Sequence, residues 1–378
     1  MKHLPVTLVS IALLATSALA QGRDAVFTMP AGDHQLHELA GLSAQIRRRP
    51  LQCDVAGLSK EVGLTVTLQT ELQLDAKAHQ EVVAALLRDR RLLLVAGERF
   101  DRVVTVRSQC DAQASIARTP EQVLANPTQL EWVTTSIPAT ADSLTHIHAL
   151  RPYFRNEPPG LSVHNINGRV EFTGMSDQVG FALRMMQMFA GSTPADVAQP
   201  VWHGEGQVTW PGGRMTLRTF VGVFTSTLDA NVLHANAAGA VDHKTIDLGD
   251  AASMTRSEWF AEATRVLAKH DCAMVCRHPG ARLFALRSIQ DPSYRDANVR
   301  ANYVPSHEVE QYASAGVIMT TVDLQQLRSF DGFMVLRGAI AENRATTICS
   351  LDHNTLVLCG PSHQVAHHVD LLLQADSH

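Results

Sequence analysis

The sequence predicts an α+β protein of four small two-layer domains in tandem, each a short sheet packed against two helices, in the order A-B-A-B. Three observations predict it. The apolar pattern switches repeatedly between a period of two and a period near 3.6. A unit spanning about 26–108 returns at about 208–288. A second unit type follows each of these, and its two copies superpose at a single offset of 186 residues.

Composition bounds the rest. Of 378 residues, 45% are hydrophobic and 18% charged, a globular balance that excludes wholesale disorder and a polytopic membrane protein. Lys and Arg number 32 against 37 Asp and Glu, so no cationic field exists to hold nucleic acid. Aromatics at 5% leave little for base stacking.

Residues 1–20 stand outside the fold. Lys2 and His3 form a basic start, Leu4 to Ala15 is apolar, and Ala18-Leu19-Ala20 fits the small-x-small rule, so a Sec-type signal peptide cut after Ala20 is expected. A transmembrane helix needs about 20 apolar residues, and neither this segment nor any later one has them. The expectation is an exported, periplasmic protein with no integral membrane segment.

The A units are placed at 22–111 and 207–290. Each opens with a short strand ending at proline, Phe27-Thr28-Met29-Pro30 and Val208-Thr209-Trp210-Pro211. A helix follows, with Leu36, Leu39, Ala40, Ser43 and Ile46 on one face in the first copy and Leu217, Phe220, Val221 and Phe224 in the second. Val62, Leu64, Val66 and Leu68 then alternate with polar residues, and Ile246 and Leu248 are their shorter counterpart. Asp75 and Thr255 start a second helix, carrying Val82, Val83, Leu86 and Leu87 in one copy and Phe260, Ala263, Val266 and Leu267 in the other. A hairpin closes each unit, turning through Gly97 or Pro279-Gly280, and the endings Arg107-Ser108 and Arg287-Ser288 lie 180 residues apart.

The B units are placed at 130–191 and 313–376. The offset of 186 carries Thr134-Thr135 onto Thr320-Thr321, Ser143 onto Ser329, Leu150-Arg151 onto Leu336-Arg337, and Gly174, Ser176, Gln178 and Val179 onto Gly360, Ser362, Gln364 and Val365. Each copy reads as strand, helix, hairpin, helix. Linkers are expected at 112–129, 191–206 and 291–310, where prolines accumulate and patterning loosens.

Export permits disulfides. Cys349 and Cys359 flank a hairpin-like stretch and could face each other across two antiparallel strands; bonded and free states stay open. Cys272 and Cys276 share a strand face at about 13 Å, beyond bridging, and read as small core residues. Cys53 and Cys110 pair only if the fold brings them together. Three histidine groupings stand out: His34 with His37, His146 with His148, and His363 with His367 and His368. His363 and His367 have helical chelate spacing but no clear third ligand, so solvated surface histidines are the favoured reading. Arg47-Arg48-Arg49 and Arg88, Arg90 and Arg91 read as cations at helix C-termini. Met185, Met186 and Met188 read as a packed helix face. No nucleophile-elbow, zinc-protease, phosphate-loop or dinucleotide fingerprint is present.

The stretch Asp352-His353-Asn354-Thr355-Leu356-Val357-Leu358-Cys359-Gly360, with Val365 and a helix to Gln374, resembles the hairpin-helix ending of the NolW-like secretin N-domain. In the first B copy Asn165-Ile166-Asn167-Gly168 makes the turn and Val170-Glu171-Phe172-Thr173-Gly174 the strand. The A units resemble the short N-terminal domain shared by secretins and TonB-dependent receptors, through Phe27-Thr28-Met29-Pro30-Ala31 and the closing Val-Ala-Gly hairpin. The resemblance implies a non-enzymatic periplasmic component of a type II secretion or type IV pilus-like assembly. It implies protein partners, such as a secretin pore or another machine component, or self-association. It transfers no catalytic, cofactor or metal residue. Because the chain stops at His378, directly after the last such helix, the pore function of secretins is not carried over. A ligand-sensing or signalling module is the second reading, and a metal-binding protein or hydrolase the third.

Overall fold

The computed structural model describes residues 26–53, 65–90, 92–96, 99–105, 115–126, 130–154, 161–194, 202, 206–234, 244–288, 301–312, 316–341 and 346–377. Among them the expected α+β alternation is present. No helix there is long and apolar enough to cross a membrane.

In the first A unit, β1 (Phe27–Met29) pairs with β5 (Leu72–Leu74), and β2 (Gly32–Gln35) with β4 (Thr65–Leu68), both antiparallel. β3 (Leu51–Cys53), β6 (Leu92–Ala96) and β7 (Asp101–Thr105) form a sheet in the order β3-β7-β6. Helices α1 (Leu36–Ile46) and α2 (Ala76–Asp89) pack on these sheets. The start of α2 is fixed locally: the Asp75 carboxylate accepts the Ala78 amide at 2.7 Å, satisfying a donor that the first turn leaves unpaired. Val62 and Leu64 of the expected long strand lie outside the described residues, whereas Val66 and Leu68 point into the core as the alternation requires.

The first B unit begins earlier than expected. β8 (Ile116–Ala117) and α3 (Pro120–Ala125) fall in the segment read as a linker, yet β8 joins the sheet by pairing parallel to β9 (Trp132–Pro138). The helix forms because Thr119 and Gln122 make a reciprocal capping box with Pro120 at its first position. After α4 (Ser143–Phe154), β10 (Ser162–Ile166) and β11 (Arg169–Met175) form a hairpin, and α5 (Ser176–Phe189) closes the unit. The two-residue turn has Asn167 and Gly168 at φ 51° and 73°, the left-handed pair that matches strand twist. The sheet order is β10-β11-β9-β8.

The second A unit repeats the first, with β12 (Gln207–Trp210), β13 (Arg214–Thr216), α6 (Leu217–Leu228), β14 (Asn231–His234), β15 (Thr245–Asp247), β16 (Ala252–Thr255), α7 (Arg256–Lys269), β17 (Cys272–His278) and β18 (Leu283–Ser288). Pairing is β12 with β16, β13 with β15, and a β14-β18-β17 sheet. Both copies end their first helix on a left-handed residue, Arg48 at φ 56° and Asp229 at φ 49°. Thr255 and Glu258 cap α7 reciprocally. The core here is aromatic: Trp210, Phe220, Phe224 and Trp259 meet with ring centroids 5.1–5.8 Å apart.

The second B unit comprises β19 (Asn302–Tyr303), a 3-10 helix at Ser306–Tyr312, β20 (Val317–Asp323), α8 (Ser329–Ala341), β21 (Thr347–Ser350), β22 (Thr355–Pro361) and α9 (Ser362–Asp376). Its sheet order is β19-β20-β22-β21, again with a parallel edge strand from a segment expected to be linker.

Strand register revises the repeat offsets in two places. Thr135 lies opposite Phe172, and Thr320, not Thr321, lies opposite Leu358, the residue 186 after Phe172. Thr135 and Thr320 are both buried, so the first B strand superposes at 185. The run of two threonines hid a one-residue slip, which reverses the face of every side chain in a strand. In the A hairpins Leu92 faces Thr105 as Cys272 faces Ser288, an offset of 183 on the returning strand rather than 180. Arg107 and Ser108 lie outside the described residues.

Candidate interaction surfaces

Like packs on like. The turn between β4 and β5 of the first A unit docks onto β14 of the second. Asn231, fully buried, accepts the amides of Gln69 and Thr70 at 2.8 and 3.0 Å and donates to the Thr70 hydroxyl at 2.8 Å. Gln69 answers by donating to the Val232 carbonyl and accepting its amide, at 3.0 and 3.1 Å. Side chains of each unit thus complete the other's backbone hydrogen bonding.

Farther along, α2 lies on the outer face of the second A sheet. Its last residue, Asp89, sits between Arg277 at 2.8 Å and Arg287 at 2.7 Å, all three largely withdrawn from solvent. Glu81 meets His278 at 3.0 Å. Between these polar contacts Leu233, Ala281, Leu283 and Ala285 of the second unit join the hydrophobic core of the first. Sequence reasoning missed this junction. One signal was available: an acidic Asp89 in the last turn of a helix opposes the helix dipole and needs a cationic partner elsewhere.

The B units meet by the same geometry, helices of the first on the outer sheet face of the second. Met319, Cys349, Val357 and Cys359 form one core with Tyr153 and Phe181. The Tyr153 hydroxyl approaches the Val357 carbonyl at 3.4 Å, and the buried Arg184 guanidinium donates to the Ala301 carbonyl at 2.5 Å. The second B sheet is therefore covered on both faces, by its own helices and by the first unit's. Met185, Met186 and Met188 are buried in this packing, the role read from their spacing.

Cys349 and Cys359 do not face each other. The register sets Cys349 opposite Val357 and Cys359 opposite Thr347, so the two thiols are diagonal neighbours and both are free. Burial pushes the Cys349 thiol up to about 12 and raises that of Cys359 further. Cys272 and Cys276 line the second A core. Cys53 ends β3, and Cys110 lies outside the described residues.

The histidines are not uniformly solvated, which corrects the favoured reading. His368 is buried and His363 half-buried, and burial lowers each to about 4. His367 is exposed, as are His37 and His148. His34 contacts the Pro30 carbonyl at 2.7 Å, and the His146 ring lies tilted against Phe189 at 5.2 Å between centroids, with burial lowering its pKa. No group of three metal-ligating side chains occurs among the described residues. The Arg47-Arg48-Arg49 reading is also revised: Arg47 and Arg49 reach the fully buried Asp101 at 3.0 and 3.8 Å, so the cluster holds the helix end onto the sheet. A cleft beside α3 is lined by Arg118, Gln122, Asn126, Glu131 and Ser176; Arg118 is held by Glu131 at 2.8 Å, and the Ser176 hydroxyl accepts the Glu131 amide. Those groups are committed to structure.

No family model and no curated protein sequence matches the chain. Among solved structures it is similar to the Klebsiella pneumoniae type II secretion outer membrane complex of PulD, PulS and PulC, at 14% identity and a TM-score of 0.33 over 92% of this chain. It is similar to the N-terminal domain of the Pseudomonas aeruginosa secretin XcpQ at 10% identity and a TM-score of 0.20, covering 93% of this chain and 98% of that one. For the enterotoxigenic Escherichia coli GspC-GspD complex the values are 10% and 0.19, over 46% of this chain and 100% of that one. The chain spans about half (49%) of the Klebsiella chain it matches.

Proposed function

We propose that this chain is an exported, non-enzymatic protein-interaction module: a periplasmic or accessory component of a type II secretion or type IV pilus-like assembly. The observation that carries the reading is the side-by-side packing of A on A and B on B. Its specific polar contacts, Gln69 with Asn231, Asp89 with Arg277 and Arg287, and Arg184 with the Ala301 carbonyl, are all spent on recognising another α+β unit. The secretin-like hairpin ending at Thr355 to Gly360 and the signal-like residues 1–20 support the same setting.

The test is in-cell crosslinking of the tagged full chain in its native host, followed by purification from the periplasmic and outer-membrane fractions. Enrichment of a defined secretin or another component of one such machine is the expected result. Recovery in the cytoplasm, or in the envelope with chaperones and proteases alone, would overturn the reading.

A further inference from the structure

The two A units share a fold but not an interior. In the second, the Phe224 ring packs between Trp259 and Phe284, with centroids 5.8 and 5.5 Å away, and Leu228 is fully buried at the end of the same helix. The matching residues of the first unit are Ser43, His79, Asp101 and Arg47. Ser43 and Phe224 lie five residues before the left-handed helix end, and Arg47 and Leu228 directly before it. His79 and Trp259 lie four residues after the caps Asp75 and Thr255, and Asp101 faces Ala96 as Phe284 faces Cys276.

The polar set is buried as deeply as the aromatic one. Ser43 is 1% exposed, and His79 and Asp101 are fully buried. Arg47 meets Asp101 at 3.0 Å, but the Ser43 hydroxyl and both ring nitrogens of His79 have no hydrogen-bond partner among the described residues. Polar atoms buried without partners weaken a core at the very positions where aromatic contacts strengthen its twin.

Ownership of the cores is a second, independent asymmetry. The core of the second A unit runs from Trp210 to Leu286 and draws on no other unit among the described residues. The core of the first is completed by Leu233, Ala281, Leu283 and Ala285 of the second A unit and by Leu130, Trp132 and Met175 of the first B unit. The first A unit therefore leans on its neighbour, and the neighbour does not lean back. The face on which it leans also carries Asn231, Arg277, His278 and Arg287, groups that water solvates once they are uncovered.

We propose that the first A unit is a releasable cover: it opens as one body while the second A unit stays folded, and so uncovers the outer face of the β14-β18-β17 sheet. This goes beyond the secretion reading and is tested on the purified full chain alone, so the two can fail separately. Native-state hydrogen exchange at neutral pH, corrected for intrinsic rates, compares the matched helices. Amides of Val82 to Leu87 in α2 exchange at least about tenfold faster than those of Glu262 to Leu267 in α7. Ser43→Ala combined with His79→Phe removes the unpartnered atoms and slows α2 about tenfold, with α7 unchanged. Asp89→Ala loosens the junction and speeds α2, again with α7 unchanged. A thiol placed beneath the cover by Ala285→Cys, fully buried in the closed chain, is alkylated in step with α2 exchange. Equal protection of α2 and α7 in the wild type would overturn the proposal, as would earlier exchange in α7. So would α2 exchange that leaves the thiol of the Ala285→Cys variant unlabelled, because opening would then not uncover the sheet.

Discussion

Asp89 and Arg287 lie 2.7 Å apart across the junction of the two A units, and Arg277 closes on the same carboxylate oxygen from the other side. One carboxylate compensates two buried guanidinium groups. Asp89→Ala removes the carboxylate that both guanidinium groups share, and breaking a buried charge cluster from one side costs about 3–5 kcal/mol. Chemical denaturation should show that loss. Adding Arg277→Met and Arg287→Met to the Ala variant should recover most of it, which a purely steric role for Asp89 would not allow.

His79 occupies in the first A core the place that Trp259 takes in the second, 180 residues later. Its ring is fully buried, and burial lowers its pKa to about 4. The unfolded chain takes up that proton near the ordinary histidine value, so between about pH 6.5 and 4 the unfolded state binds more protons and stability falls with pH. At pH 5 the contribution amounts to about 2 kcal/mol. His363 and His368, each also lowered to about 4, steepen the same slope. Melting temperatures from pH 7.5 to 5 should therefore drop before carboxylates titrate, and His79→Phe should flatten the profile; an unchanged slope would place His79 in water.

At the end of the last helix, Asp376 accepts the amides of Gln325, Gln326 and Leu327 at 2.6, 2.8 and 2.7 Å. Burial alone would raise this carboxyl, but the three amide donors hold it below the usual carboxylate range. Its stabilisation is present at neutral pH and is lost as pH falls below the ordinary carboxylate value through the lowered one. Asp376→Ala should cost about 2 kcal/mol at pH 7. The difference from wild type should vanish in strong acid.

The units were legible because their signals are local. The apolar face of Leu36, Leu39 and Ala40, the cap at Asp75 and the Asn167-Gly168 turn each specify an element from adjacent residues. The packing of units was not, because Gln69 and Asn231 are separated by 162 positions and neither carries a pattern of its own. The strand slip at Thr134-Thr135 escaped for another reason: identical neighbours make two registers equally good in letters, and only the partner strand distinguishes them. The short helix after Thr119 sits in a proline-containing stretch of loose patterning, and only its capping signature, Thr119 with Gln122, distinguishes it from linker.

Cys349 and Cys359 give the last test. Their register makes them diagonal neighbours, and the Cys349 thiol lies 3.6 Å from the Tyr153 hydroxyl at the junction of the two B units. With the Cys349 thiol raised to about 12 by burial, almost no thiolate forms at neutral pH, and thiolate is the reactive species. Alkylation of the folded protein should leave both unmodified, while denaturation without reductant should expose both to labelling. A mass two units short with no labelling at either site would mean that β21 shifts by two residues to set Cys349 against Cys359, which would also withdraw Cys349 from Tyr153. Tyr153→Phe removes one partner of Cys349 without opening the junction to solvent, so the folded variant should stay unlabelled as well.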